Sequence, residues 1–173
     1  HTLLLDVNKW NEGYECVVWT KGGVFKILAK HVIDASGDAD FCHHAGYEYE
    51  LAGEKEPAQS MTTTFRMANV DSARFDREGG KKNLNSLMEN AFDTGKYDLP
   101  RRSGSAHEMN IPKCISTVAV KVPSRSGLGA TSLTLAEQEG RRQAFNYENF
   151  FRSEVPGYEN SKIIGLSNQI GVR

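Results

Sequence analysis

Cysteine is scarce, proline is sparse and charge of either sign is almost balanced: 173 residues carry three Cys, five Pro and a net charge of −1. Cys16, Cys42 and Cys114 are odd in number and far apart, with no C-x-x-C spacing. Neither a disulfide framework nor a structural zinc site is signalled, so free thiols in a reducing, cytoplasmic compartment are the default. No apolar run approaches the roughly 20 residues a membrane span needs, and no membrane partner is expected. No signal peptide is visible. No basic stripe exists of the kind a nucleic-acid partner would require. The Arg-Arg pairs at 101–102 and 141–142 are too isolated to change this. They are expected to be solvated or paired with nearby acids rather than to bind phosphate. Repeats and low-complexity segments are also lacking. The chain enters a strand within two residues of His1 and stops at Arg173 straight after an apolar stretch. It is therefore expected to be a piece excised from a longer protein.

What is present is a core of modest richness, 39% hydrophobic, enough for one ordinary domain or two small lobes. Thr2 to Val7 reads as a strand, with Asn8 to Gly13 as the turn after it. Tyr14 to Thr20, rich in β-branched and aromatic residues, is a second strand, and Val24 to Ala29 a third, joined through Lys21-Gly22-Gly23. This meander runs into V-I-D-A-S-G-D-A-D-F-C-H-H-A-G, Val32 to Gly46, around which the chain is organised. Val32-Ile33 reads as the end of a buried strand. Asp34-Ala35-Ser36-Gly37 suits a sharp turn that lets backbone come close to a ligand. Asp38 and Asp40 fall where the helix dipole favours acids, and Gly46 fits a C-terminal cap.

Residues 47–59 read as a loop. Ser60 to Val70 alternates as a strand, with Met61, Thr63, Phe65 and Met67 on one face and Thr62, Thr64 and Arg66 on the other. A helix is predicted over Asn83 to Thr94, with Leu84, Leu87, Met88 and Ala91 on its apolar face and Gly95 ending it. Residues 98–107 read as a long loop, Cys114 to Val122 as a strand and Pro123 to Thr131 as another loop. Thr134 to Glu137 has the form of a capping box, opening a helix to about Arg152 with Ala136, Gly140, Ala144, Tyr147 and Phe151 on one face. Ser161 to Ile170 reads as a final strand.

Several motifs that could carry chemistry have simpler accounts. His43 and His44 are adjacent, so on a helix they point about 100° apart and do not converge on one metal; a surface pair is the simpler account. Gly127-Leu128-Gly129 imitates a dinucleotide fingerprint, but Pro123 to Ser126 separate it from the strand and Ser132 fills the third glycine's place. No G-x-S-x-G frame supports a nucleophilic serine. His107, between serines and Glu108, is read as a solvated loop histidine with a substrate contact as the alternative. The face of Thr62, Thr64 and Arg66 is either the wet side of a sheet or the lining of a substrate cavity, and both stay open. A guanidinium fork at Arg66 would recognise carboxylate or phosphate.

The order meander, V-I-D-A-S-G-D-A-D, Ala45-Gly46, then S-M-T-T-T-F-R at residues 60–66, resembles a bacterial family of FAD-dependent oxidoreductases with a two-dinucleotide-binding-domain fold. Ala136 to Gln143, Val155-Pro156-Gly157-Tyr158 and Gln169 to Arg173 look like later segments of that family, whereas 71–131 carries little of the likeness. The family's G-x-G-x-x-G, which cradles the FAD pyrophosphate, is absent from these residues. The resemblance implies an α+β fold: a three-stranded antiparallel β-meander leading into a mostly antiparallel sheet covered by helices. It implies a partial FAD-domain segment over 1–46 and a substrate-domain-like lobe over 47–173. Ala35, Ser36, Gly37 and Asp38 become the residues facing FAD, and Thr62, Thr64, Arg66 and Arg173 those facing a small-molecule substrate. The implied activity is flavin-mediated hydride transfer in the full-length protein. The isolated piece, separated from the missing N- and C-terminal parts of the same chain, is expected to retain no FAD and to be inactive. The rival expectation is a non-catalytic α+β module that uses the T-T-T-x-R face to bind a ligand or a protein.

Overall fold

A computed structural model describes residues 1–123 and 127–172; Ser124 to Ser126, inside the Pro123–Thr131 loop, and Arg173 lie outside the described residues. The chain divides into two compact units, His1–Leu51 and Ala52–Arg173. The fold is α+β, with one antiparallel sheet in each unit.

In the first unit β1 (Thr2–Trp10), β2 (Gly13–Thr20) and β3 (Gly23–Ala29) form a meander in sequential order. β1 outlasts its expected end at Val7 because Asn8, Lys9 and Trp10 continue the ladder opposite Glu15, Tyr14 and Gly13. The reversal then needs only Asn11 and Glu12, and Asn11 takes the left-handed conformation (φ 44) that asparagine tolerates better than most residues. A short helix, α1 (Asp40–His44), lays Phe41 against Val7, Cys16 and Val18, while Tyr14 meets the Phe41 ring edge-on at 5.0 Å. Val32 packs against this small cluster, but Val32-Ile33 is not a buried strand end. The segment belongs to no ladder among the described residues, and Ile33 is 90% exposed. Ile33 would be buried only if a neighbouring element covered it, and none of the described residues does so.

The second unit contains β4 (Thr64–Ala68), α2 (Ser72–Arg77), α3 (Gly80–Thr94), β5 (Ser105–Glu108), β6 (Ile115–Val118), α4 (Ala130–Glu154) and β7 (Lys162–Leu166). Its sheet has the order β5-β6-β4-β7, antiparallel throughout. Single bridges at Met61–Val122 and Thr62–Gly171 extend the β4 line towards its N-terminus. The alternation is as expected: Met61, Thr63, Phe65 and Met67 are all buried. From β6, Ile115 and Thr117 join the same inner face. β5 replaces part of the expected 98–107 loop. Ser-Ala-His-Glu has no apolar alternation to announce a strand; its ladder to β6 at the sheet edge makes it one.

α4 is the longest element, 25 residues. Ala136, Gly140, Ala144, Tyr147 and Phe151 are buried at spacings of three and four, as one helix face requires. The capping box at Thr134 is not used. The helix begins four residues earlier, after Gly129, and the Thr134 hydroxyl donates back to the Ala130 carbonyl at 2.9 Å. Glu137, the other half of the expected box, accepts the Ile170 N–H instead. Phe151 is the hub of the core. Its ring contacts those of Phe65, Tyr147, Phe150 and Tyr158 at centroid distances of 4.9 to 6.4 Å.

Phe151→Ala removes that hub and is expected to lower stability by about 3–5 kcal/mol. Phe145→Ala on the exposed side of the same helix should stay within roughly 0.5 kcal/mol. Urea unfolding followed by circular dichroism at the helix band, which comes mainly from α3 and α4, separates the two.

Candidate functional site

The turn between β3 and α1 is built by two side chains. The Asp34 carboxylate accepts from the Ser36 N–H at 3.0 Å and the Ser36 hydroxyl at 2.7 Å through Oδ1, and from the Cys42 N–H at 3.2 Å through Oδ2. Ser36 Oγ then accepts the N–H groups of Asp38 (3.3 Å) and Asp40 (3.1 Å). Together they satisfy backbone donors at the start of α1, whose N-cap residue Ala39 supplies no side-chain cap and sits at φ 58. The amides and hydroxyl aimed at Asp34 favour its charged form. The Ser36 N–H leads, followed by the Ser36 hydroxyl and then Cys42, and they hold the carboxyl down to about 2. Desolvation and the neighbouring Asp34 charge push the Cys42 thiol up, so it is held as a thiol rather than a nucleophilic thiolate.

The four residues expected to face a cofactor lie together on this turn, all exposed. Gly37 has φ +89, and a Cβ built on it would meet nothing within 4 Å. The backbone is therefore bare and open at that point, in a conformation that side-chain-bearing residues rarely adopt. Asp38 presents a carboxylate with no hydrogen-bond partner among the described residues, and Ala35 adds only a methyl group. The residue whose role sequence reasoning missed is Asp34. Its signal was legible: Asp followed two residues later by Ser is the spacing of a side chain that bonds its own backbone turn.

The substrate-side residues belong to the second unit. Thr64 and Arg66 point to the outer face of the sheet, opposite buried Phe65 and Met67. Register sets Arg66 beside Ser116 of β6, and Ser116 beside His107 of β5, so a row His107–Ser116–Arg66 crosses three strands on that face. His107 thus enters the site through a strand that composition did not reveal. On the other flank lies Gly165, over which the Arg66 guanidinium sits at ordinary van der Waals distance from where a Cβ would stand. Arg66 makes one long bond, 3.5 Å, to the Leu166 carbonyl and has no carboxylate partner among the described residues. Thr62 donates its hydroxyl to the Val120 carbonyl at 2.7 Å. Thr63, on the inner face, bonds Ser167. Arg173 lies outside the described residues.

Among the described residues no group of three His, Cys, Asp or Glu side chains is placed to hold a metal ion, and no helix is long and apolar enough to cross a membrane. His43 bonds the Tyr49 hydroxyl at 2.8 Å.

A family model described as FAD dependent oxidoreductase matches residues 1–173. No curated protein matches the chain. No solved structure matches it either.

The lowered Asp34 fixes the sign of a pH effect. Its contribution is full above the ordinary carboxylate value of 3.8 and is lost as pH falls through about 2. Asp34→Ala should therefore speed amide exchange at Ser36 and Cys42 at neutral pH. The difference from the unsubstituted chain should fall to about half near pH 2 and vanish only below it. Hydrogen-exchange NMR at the two pH values checks this.

Proposed function

The chain belongs to the FAD-dependent oxidoreductase family, and from that premise we propose that the turn Ala35–Asp38 contacts the flavin cofactor while the outer face carrying Thr64 and Arg66 binds a small organic substrate. The observation that carries the flavin side is the combination at Gly37: a left-handed glycine with open space above it, on a turn fixed from within by Asp34 and Ser36. Such a turn needs no rearrangement to let a flat or bulky group approach the backbone.

The charge around the turn narrows which part of FAD fits. Asp34, Asp38 and Asp40 are clustered here. Carboxylates disfavour a pyrophosphate at close range and favour groups that donate hydrogen bonds. Ribityl and ribose hydroxyls are such groups, and the unpartnered Asp38 carboxylate is the acceptor for one of them. FAD, when bound, supplies hydride chemistry; the chain supplies contact and orientation.

On the substrate side Arg66 carries most of the recognition. Its exposed fork suits a carboxylate or phosphate, and Ser116 and His107 extend the same row with further hydrogen-bonding groups. Thr64 lies two residues along on the same face. Thr62, whose hydroxyl donates its hydrogen bond to the Val120 carbonyl, offers a ligand only the lone pairs of its oxygen as acceptors. Arg173 keeps its proposed substrate role through the resemblance alone.

In the intact enzyme, Gly37→Val should lower flavin content at least about tenfold, since the side chain both strains the turn and fills the open space. Arg66→Ala should leave flavin content unchanged and raise KM for an anionic substrate by a few-fold, up to about fivefold. Flavin absorbance per protein and steady-state kinetics measure both. A fully flavinated Gly37→Val enzyme would overturn the cofactor assignment.

A further inference from the structure

We infer that the second unit holds a separate binding site for a small oxyanion, a carboxylate or a phosphate, in the cleft between the end of α3 and the segment around Lys121 that follows β6. The cleft is lined by Phe92, Pro100, Arg101, Arg102, Ser103 and Lys121 and has a volume of about 290 Å³. That is the lower end of small-molecule pockets, too little for a dinucleotide.

Three of the lining residues are cationic. Arg102 is already balanced: it pairs with Asp93 and stacks its guanidinium 4.4 Å above the Phe92 ring. Neighbouring cations outside the cleft are balanced too, Arg142 by Asp98 and Glu139, Arg141 by Glu137 and Lys96 by Glu154. Arg101 and Lys121 are the exceptions. Neither has a carboxylate partner among the described residues, although acids are plentiful nearby. The expectation that both Arg-Arg pairs are solvated or paired therefore holds for Arg102, Arg141 and Arg142 and leaves Arg101 as the unpaired member. Two unpaired positive charges lining one cleft form a set that an oxyanion would complete, with Ser103 as an additional hydroxyl donor.

The cleft is also held in place from behind. Gln143 of α4, only 3% exposed, grips the Lys121 peptide at both ends: its oxygen accepts the Lys121 N–H at 2.9 Å and its amide donates to the Lys121 carbonyl at 2.9 Å. Asn85 of α3 accepts the Gly104 N–H at 3.3 Å, tethering the segment that carries Arg101 to Ser103. The same Gln143 amide also donates to the Glu139 carboxylate at 2.9 Å, and its two bonds to the Lys121 backbone fix where that lysine starts, which is the preorganisation a binding site needs. Phe92 and Pro100 add an apolar wall for the rest of the molecule.

The test titrates the full chain with inorganic phosphate and, separately, with benzoate, following backbone amide shifts by NMR at constant ionic strength. Saturable shifts at Arg101, Arg102, Ser103 and Lys121 are expected with at least one probe. Phosphate alone would assign the site to phosphate-bearing molecules, benzoate alone to carboxylates with an apolar body, and both to oxyanions in general. The double variant Arg101→Gln/Lys121→Gln should weaken binding at least about tenfold. The charge-matched control Arg152→Gln/Lys162→Gln, at exposed positions outside the cleft lining, should not. Lys121→Gln alone provides the same reading if the double variant does not fold. No saturable shift with either probe, or undiminished binding in the cleft variants, would overturn the inference.

Discussion

The packing of α4 on the four-stranded sheet is the constraint from which the second unit follows. The first half of its inner face is small, because a Cβ on Gly140 would already stand 3.3 Å from Thr63 Cγ2 and 3.6 Å from Ile170 Cδ1. Only close approach lets the second half bring Tyr147 and Phe151 onto Phe65 and Phe151 onto Tyr158, with Phe150 against Phe151 and Tyr97. Each such ring, fully buried, contributes about 1.5–3 kcal/mol. The same helix also settles polar accounts at the sheet's periphery. Glu137, Gln143 and Glu148 accept the N–H groups of Ile170, Lys121 and Ile163, which no ladder satisfies. Strand ends are thereby fixed by helix side chains. With Phe65 and Met67 drawn inward, period-two alternation leaves Thr64 and Arg66 no choice but the outer face.

The first unit is held together differently. Its buried set is Val7, Cys16, Val18 and Phe41, while Leu3, Trp19 and Val24, aligned across the three strands, are half-exposed or more. So small a core orders little by itself. The turn at Asp34 is accordingly ordered by hydrogen bonds to one ionised carboxylate and one hydroxyl. That division suits a ligand-facing turn: a preformed shape arises from polar groups that point inward, and Gly37 is left with nothing above it.

What could be read in advance follows from which signals are local. The meander announced itself through β-branched and aromatic runs broken by Asn and Gly. The inner face of α4 was visible as Ala136, Gly140, Ala144, Tyr147 and Phe151, since helical spacing depends on nothing outside the helix. β5 was hidden because Ser105 to Glu108 become a strand only by lying beside β6. Thr134 and Glu137 imitated a helix start because a capping box states a possibility of side-chain bonding, and here the Ile170 amide and the Ala130 carbonyl compete for the same two groups. Ile33 was misjudged for the converse reason: an apolar residue declares an appetite for burial, and whether it is met depends on a neighbour. At the candidate site, Gly37 was legible from its setting and Asp34 as part of the turn, but the reach of its carboxylate to the Cys42 N–H eight residues on depends on the fold of the whole segment.

Family membership names the chemistry, but recognition is decided by individual sites on the fold. The two places in the second unit suited to anions differ in physical character. Arg66 stands on an open sheet face, where water screens its charge and a single ion pair is worth about 1 kcal/mol or less. It can discriminate only as part of the row with Ser116 and His107, through the geometry of several hydrogen bonds made at once. The cleft at Arg101 and Lys121 gathers two charges that have no carboxylate partner among the described residues and is braced by a buried amide, so there charge itself can do the selecting. A substrate bound at the sheet face would therefore be chosen by shape and hydrogen-bonding pattern, whereas an anion in the cleft would be chosen by charge and size. The two kinds of selectivity arise from one helix, since α4 both turns Arg66 outward by claiming its neighbours and anchors Lys121 through Gln143.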